Sequence, residues 1–211
     1  MLRSLIEFSQ TLLVRPVCPL CRRTLPDTEL GLKLCSACRD NLGLTITGCH
    51  GLHPLPWWAL GSYDGALRVF LLKLKQTYSE RVLAALLNSL RPLIPKTDGE
   101  WLVPIPSWKR RLANPLPLRM AAGLGNERPD LLLRTQAGIG QHHLNRRQRL
   151  INLEGTFHCP PTTQALELWL VDDILTTGAT AMAAQTSLTK ACHHVSGLIC
   201  LARTPILRSR R

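Results

Sequence analysis

Short apolar runs that switch between helical and extended spacing punctuate this chain. Leu2, Leu5, Ile6, Leu12 and Leu13 fall on one helical stripe, which predicts a short amphipathic helix over residues 2–13. Asp64 is a good N-cap, and Leu67, Phe70, Leu71 and Leu74 follow at helical spacing, so a helix should run to about Lys75. Ser79 opens another, with Val82, Leu83, Leu86, Leu87 and Leu90 inward and Pro92 near its stop. Met120 to Leu124 and Thr180 to Ala191 complete the helical segments. Trp101–Pro106, Leu168–Val171 and Val195–Ala202 read instead as buried strands. Gly48, Gly51, Pro54 and Pro56 mark a turn-rich stretch, and residues 134–150 are polar, basic and without period, hence a long loop. Strands alternating with helices predict an α/β fold built from βα units around a parallel sheet.

Composition narrows the class. At 211 residues, 45% hydrophobic and 19% charged, the chain can bury a core and is not a disordered protein. No apolar run approaches the roughly 18 residues of a membrane span. Arg3 and Glu7 interrupt the N-terminal stripe and no small-residue cleavage site follows, so a secretory signal is not expected. The formal net charge is +12, unevenly spread. Lys109 to Arg149 holds nine basic and two acidic residues, whereas Leu150 to Thr189 holds four acids and no Lys or Arg. A basic block feeding an acidic patch suits an anionic ligand that brings a divalent cation; a solvated basic face is the plainer reading.

Four of the eight cysteines form Cys18-x-x-Cys21 and Cys35-x-x-Cys38, thirteen residues apart. Two such pairs in a chain without a signal have the spacing of a four-thiolate structural zinc site in a reducing cytosol, a small zinc-ribbon module. A dithiol redox pair or ordinary core cysteines are the alternatives. Four thiolates would leave no coordination position open, so no catalysis is expected at the metal. The module is assigned to residues 1–56 and the α/β domain to 57–211. One zinc is expected; whether Cys49, His50 or His53 binds a second metal is left open.

The most informative stretch is Leu168-Trp-Leu-Val-Asp172-Asp173-Ile-Leu-Thr176-Thr177-Gly178-Ala179-Thr180. An apolar strand delivers two adjacent acids to its C-terminal end, then a turn of small and hydroxyl residues opens a helix. Backbone N–H groups of the turn can cradle a phosphate, and Gly178 lets the backbone come close. Two carboxylates before the loop can take a vicinal diol or hold Mg²⁺ through water. At a strand end they are expected to be solvated. The alternative is a strand–turn–helix whose acids merely cap the helix.

This stretch resembles the phosphoribosyl pyrophosphate (PRPP) signature of type I phosphoribosyltransferases. The resemblance implies a parallel sheet flanked by helices. It makes Asp172 and Asp173 the catalytic pair on the ribose hydroxyls, and Thr176, Thr177, Gly178, Ala179 and Thr180 the 5′-phosphate loop. Mg²⁺ would accompany the pyrophosphate. Val103-Pro-Ile-Pro-Ser107 resembles the strand and turn that hold pyrophosphate in that fold, and the 134–150 loop resembles its mobile hood. Gln141, Leu144, Arg149, Asn152 and Phe157, with the cysteine pairs and the Tyr63-Asp-Gly65 turn before a Leu–Lys helix, match the pattern of ComF family proteins along nearly the whole chain. ComF proteins usually carry Arg-Gly-Phe-Asn-Gln after the proline strand. Here the region reads Lys109-Arg-Arg111-Leu-Ala-Asn114-Pro, with Arg111 and Asn114 the candidates for a matching pair.

Membership would imply a cytoplasmic PRPP-binding protein of natural transformation, acting in competence, single-stranded DNA uptake or DNA utilisation, with the DNA-uptake machinery as partner. Arg149 is then expected in the PRPP pocket. Lys109, Arg110, Arg111, Arg146 and Arg147 are expected to form a nucleic-acid track at its mouth. Phosphoribosyl transfer also needs a group that activates the acceptor nitrogen, and no residue is assigned to it, so turnover is left open. A nucleobase phosphoribosyltransferase of salvage metabolism is the competing reading. The 6-oxopurine enzymes place an Asp where Thr176 stands, which leaves adenine, orotate or uracil. A third reading is a PRPP-sensing regulator that binds nucleic acid without turnover. The acceptor, the protein partner and a homodimeric state are left open.

Overall fold

The computed structural model describes residues 16–26, 32–95, 99–107, 114–135 and 155–205. The predicted helix over 2–13 and most of the predicted 134–150 loop lie outside them.

The architecture is α/β, with a mixed, mostly parallel sheet between two layers. Strands β1 (Cys49–Gly51), β2 (Trp57–Ser62), β3 (Trp101–Pro104), β6 (Glu167–Val171), β7 (Ile174–Leu175) and β8 (His194–Arg203) form it. The order is β1-β2-β8-β6-β3, with β7 pairing β8 further along. Only β1 runs antiparallel to its neighbour among these pairings. A separate antiparallel pair joins β4 (Leu133–Arg134) to β5 (Phe157–His158), so Arg134, read as the start of the long loop, belongs to a strand.

Alternation along the strands explains why they are central. On β6, Trp169 and Val171 pack into one apolar cluster, while Leu168 and Leu170 pack into the other. On β8, Ile199 and Leu201 face the first cluster, and Leu198 and Cys200 the second. Strands buried on both faces read as continuous apolar runs, which is why they were legible. Helices α2 (Gly65–Gln76), α3 (Glu80–Leu90) and α4 (Leu116–Leu124) cover the first face; α5 (Ala179–Lys190) covers the second. Trp58 and Trp169 meet edge to face, ring centres 5.0 Å apart.

Asp64 and Ser79 stand at the N-caps of α2 and α3, but neither side chain bonds its helix. Asp64 instead accepts from the Ser62 hydroxyl at 2.8 Å. The turn-rich stretch hides β1, and Trp57–Ser62 forms a strand that periodicity did not predict. Gly61 and Ser62 break its apolar run, and Pro54 and Pro56 just before it read as turn. A short helix α1 (Ser36–Asn41) follows the third cysteine. Apolar packing is continuous from this N-terminal region into the main body: Leu25, Leu34, Leu42 and Leu44 share a cluster with Leu60, Leu67, Leu71 and Leu86. The Asn88 side chain donates to the Leu32 carbonyl across the same seam at 2.8 Å.

Candidate functional site

Parallel strands that end on one side of a sheet leave a crevice beyond their C-termini. Here β6 delivers Asp172 and Asp173 to that edge, and β3 delivers Ile105, Pro106 and Ser107. The two acids are held by backbone pairing to β8: the Asp172 N–H donates to the Ile199 carbonyl, and the Leu201 N–H donates to the Asp173 carbonyl, each at 3.0 Å. Between the strand ends lies a cleft of about 740 Å³ lined by Asp172, Asp173, Thr176, Gly178, Thr180 and Ser107, together with Lys75, Asn114 and Arg134.

The carboxylates are less solvated than the strand-end position predicted, and Asp172 is half-buried. Asp173 is 7% exposed. Its Oδ2 pairs with the Lys75 Nζ at 2.6 Å and accepts from the Asn114 amide. Asn114 in turn accepts the Leu116 N–H at 3.2 Å, so the start of α4 fixes the amide that holds the acid. Asp172 accepts the backbone N–H of Asp173 at 2.8 Å. Burial raises the Asp172 pKa well above the usual carboxylate range, and the Asp173 charge raises it further. The Asp173 N–H and the Lys75 charge offset only part of that.

The turn after β7 positions the loop. Gly178, the N-cap of α5, has φ +82°, and a Cβ there would run into the Pro54 ring. Its close backbone approach is therefore to Pro54, which backs the loop. Thr176 and Thr180 line the cleft. Thr177 is exposed, and its hydroxyl accepts the Ala179 N–H at 3.4 Å, a two-residue turn just ahead of the Gly178 N-cap. The Ala179 side chain lines a neighbouring groove with Met182 and Lys190.

Sequence reasoning assigned no role to Lys75 or Arg134. A lysine in the last turn of a helix reads as a partner of the helix dipole. Arg134 read as the first residue of a polar loop; it donates to the Pro106 carbonyl at 3.3 Å, and burial pushes its pKa down. Arg149, Lys109, Arg110, Arg111, Arg146 and Arg147 lie outside the described residues, as do Gln141, Leu144 and Asn152.

The second site is the cysteine cluster. The sulfurs of Cys18, Cys21, Cys35 and Cys38 all lie within 4.8 Å of one another, which is close enough for one metal ion. Cys21 and Cys35 approach to 3.6 Å, and the Cys35 N–H donates to the Cys18 Sγ at 3.5 Å. Burial works against a Cys18 thiolate, but backbone N–H groups of Cys21, Cys35 and Leu20 outweigh it and hold the pKa at about 6. Burial and the neighbouring thiols push Cys35 and Cys38 up. Four thiols this close cannot all ionise alone; a divalent cation removes the conflict, so the donor set fits zinc.

No helix among the described residues is long and apolar enough to cross a membrane. No family model matches the chain. It is 29% identical over 212 residues to a protein of Salmonella typhi named DNA utilization protein YhgH, an alignment covering 89% of this chain and 90% of that one. A protein of the same name from Salmonella typhimurium is also 29% identical, over 231 residues, covering 92% of this chain and 99% of the relative. Along nearly its whole length the chain is therefore similar to proteins named for DNA utilisation.

Proposed function

We propose that the cleft binds PRPP with Mg²⁺ and that the protein is a ComF-like, phosphoribosyltransferase-related protein acting in DNA utilisation or single-stranded DNA uptake. The observation that carries this reading is the meeting, in one cleft, of a strand-end acid pair, a glycine loop at a helix start and the proline turn with Ser107. Asp173 commits Oδ2 to Lys75 and Asn114, and Asp172 commits Oδ1 to a backbone N–H. The second oxygen of each carboxylate is what remains to accept the two hydroxyls of a ribose. Thr176, Gly178 and Thr180, with the loop N–H groups, suit the 5′-phosphate. Ser107, after β3, and Arg134, on β4, line the same cleft and suit the pyrophosphate. Mg²⁺ would arrive with the pyrophosphate, and the acid pair would face it through water.

Cys18, Cys21, Cys35 and Cys38 would hold one zinc ion that cross-links the N-terminal turn to α1. The names of the relatives bring DNA into the reading. The block of Lys109, Arg110, Arg111, Arg146 and Arg147 supplies the cations a phosphate backbone needs. Arg149 is assigned to the pocket with the same proposal.

Calorimetry of PRPP–Mg²⁺, repeated with single-stranded DNA present, tests it. Wild type should bind PRPP. Asp172→Asn with Asp173→Asn should weaken it by on the order of a hundredfold, since each charged hydrogen bond contributes roughly 1.5–3 kcal/mol. Undiminished affinity in the double variant would sink the assignment.

A further inference from the structure

Arg203 is the last residue of β8 and is 9% exposed. Its Nη1 donates to the carbonyl of Leu175 at 3.0 Å and to the carbonyl of Thr176. The guanidinium carbon sits 5.7 Å from the centre of the Trp57 ring, and the Trp57 indole donates to the His53 carbonyl at 3.0 Å. No carboxylate among the described residues pairs with Arg203, and its Nε has no partner. A buried cation without an anion is costly, and proteins keep one where something compensates it.

The geometry points to Arg203 as a positioning residue for the phosphate loop, setting the loop's backbone and placing a buried positive charge behind the phosphate. In a trans peptide the C=O and the following N–H point in opposite directions. The Leu175 carbonyl also accepts the Thr204 N–H at 2.9 Å, so Arg203 extends that sheet pairing to the Thr176 carbonyl, and the two carbonyls drawn back turn the N–H groups of Thr176 and Thr177 forward. Together with Pro54 behind Gly178, this makes a rigid back wall, so the loop is already arranged before an anion arrives. Arg203 does not line the cleft and acts through the loop. The inference rests on the PRPP reading of that cleft.

The test uses two probes, ribose 5-phosphate, which carries the 5′-phosphate, and Mg²⁺–pyrophosphate, which does not. Titrate the full chain, Arg203→Met and Arg203→Lys with each. Arg203→Met should lose tenfold or more in affinity for ribose 5-phosphate and keep its affinity for Mg²⁺–pyrophosphate. Arg203→Lys, which restores the charge but not the two-carbonyl fork, should recover part of the loss. If Arg203→Met does not fold, a selective loss in Arg203→Lys carries the same meaning. Equal loss for both probes would make Arg203 merely structural, and unchanged ribose 5-phosphate binding in both variants would also overturn the inference while leaving the cleft intact. A wild-type chain that binds neither ribose 5-phosphate nor PRPP would overturn both.

Discussion

Asp172 and Asp173 share a strand end, yet the fold treats their charges in opposite ways. Asp173 meets Lys75 and Asn114, so its charge is paired. Asp173→Asn should destabilise the protein by about 1–2 kcal/mol, less than the ~3–5 kcal/mol of a fully buried pair, because the Lys75 side chain is 29% exposed. Asp172 has a raised pKa, so the folded state holds its proton more tightly than the unfolded chain does. Stability from that proton is complete below the ordinary carboxylate pKa, falls as pH rises, and is gone above the raised value. At neutral pH Asp172 is therefore a burden on the ligand-free fold. Asp172→Asn should raise the melting temperature at pH 7 by about 2–4 °C for each kcal/mol recovered, and the gain should shrink on acidification. Thermal scans of the two single variants across pH check both signs.

Gly178 carries two constraints at the level of the loop and α5. Its left-handed φ disfavours any side chain, by roughly 1–2 kcal/mol, and Pro54 occupies the space a Cβ needs. Gly178→Ala should lower stability by more than the backbone cost alone and abolish phosphate binding. Adding Pro54→Gly should recover the steric share while leaving the φ cost. Urea melts of the single and double variants separate the two contributions. The β6 run and the acids after it were legible because a strand buried on both faces is uniformly apolar. Trp57–Ser62 and the short Cys49–Gly51 strand were not, since both lie among the glycines and prolines of a turn-rich stretch and Cys49–Gly51 is an edge strand of three residues paired only to Trp57–Ala59. The end of β8 was read one residue early, because an arginine closing an apolar run looks like an exposed terminus.

At the scale of the whole molecule, the cysteine cluster and the sheet share one body of apolar contacts. With the proposed zinc in place, removing it by chelation or by Cys21→Ala should therefore lower the melting temperature of the entire chain in one transition, as the cluster containing Leu34 and Leu42 also holds Leu71 and Leu86. Metal content by mass spectrometry, alongside calorimetric scans, checks this; a separate low-temperature transition would show an independent module. The basic block makes a second prediction. Three to five phosphate contacts give a log–log salt slope of about −2 to −4 for single-stranded DNA, at ~0.7 per contact. Changing Arg110 and Arg111 to Ala should flatten it by about one to two units. Arg149→Ala should weaken PRPP binding more than DNA binding. Binding titrations at several salt concentrations measure both.

Local chemistry was enough to bring out the two cysteine pairs, the acid–acid–glycine loop and the α/β alternation. Each of those depends on residues within one short stretch: ligand spacing, turn residues, or an apolar run of fixed period. What lines the cleft around the acids was decided only by the fold. Lys75 comes from the end of α2, Asn114 from just before α4, and Arg134 from β4, and none is near Asp173 in sequence. The burial that lifts the Asp172 pKa, the Pro54 ring behind Gly178 and the Arg203 fork beneath the loop arise the same way. Each requires segments far apart in the chain to be brought within a few ångströms, and the parallel sheet does this by ordering its strands differently from the sequence.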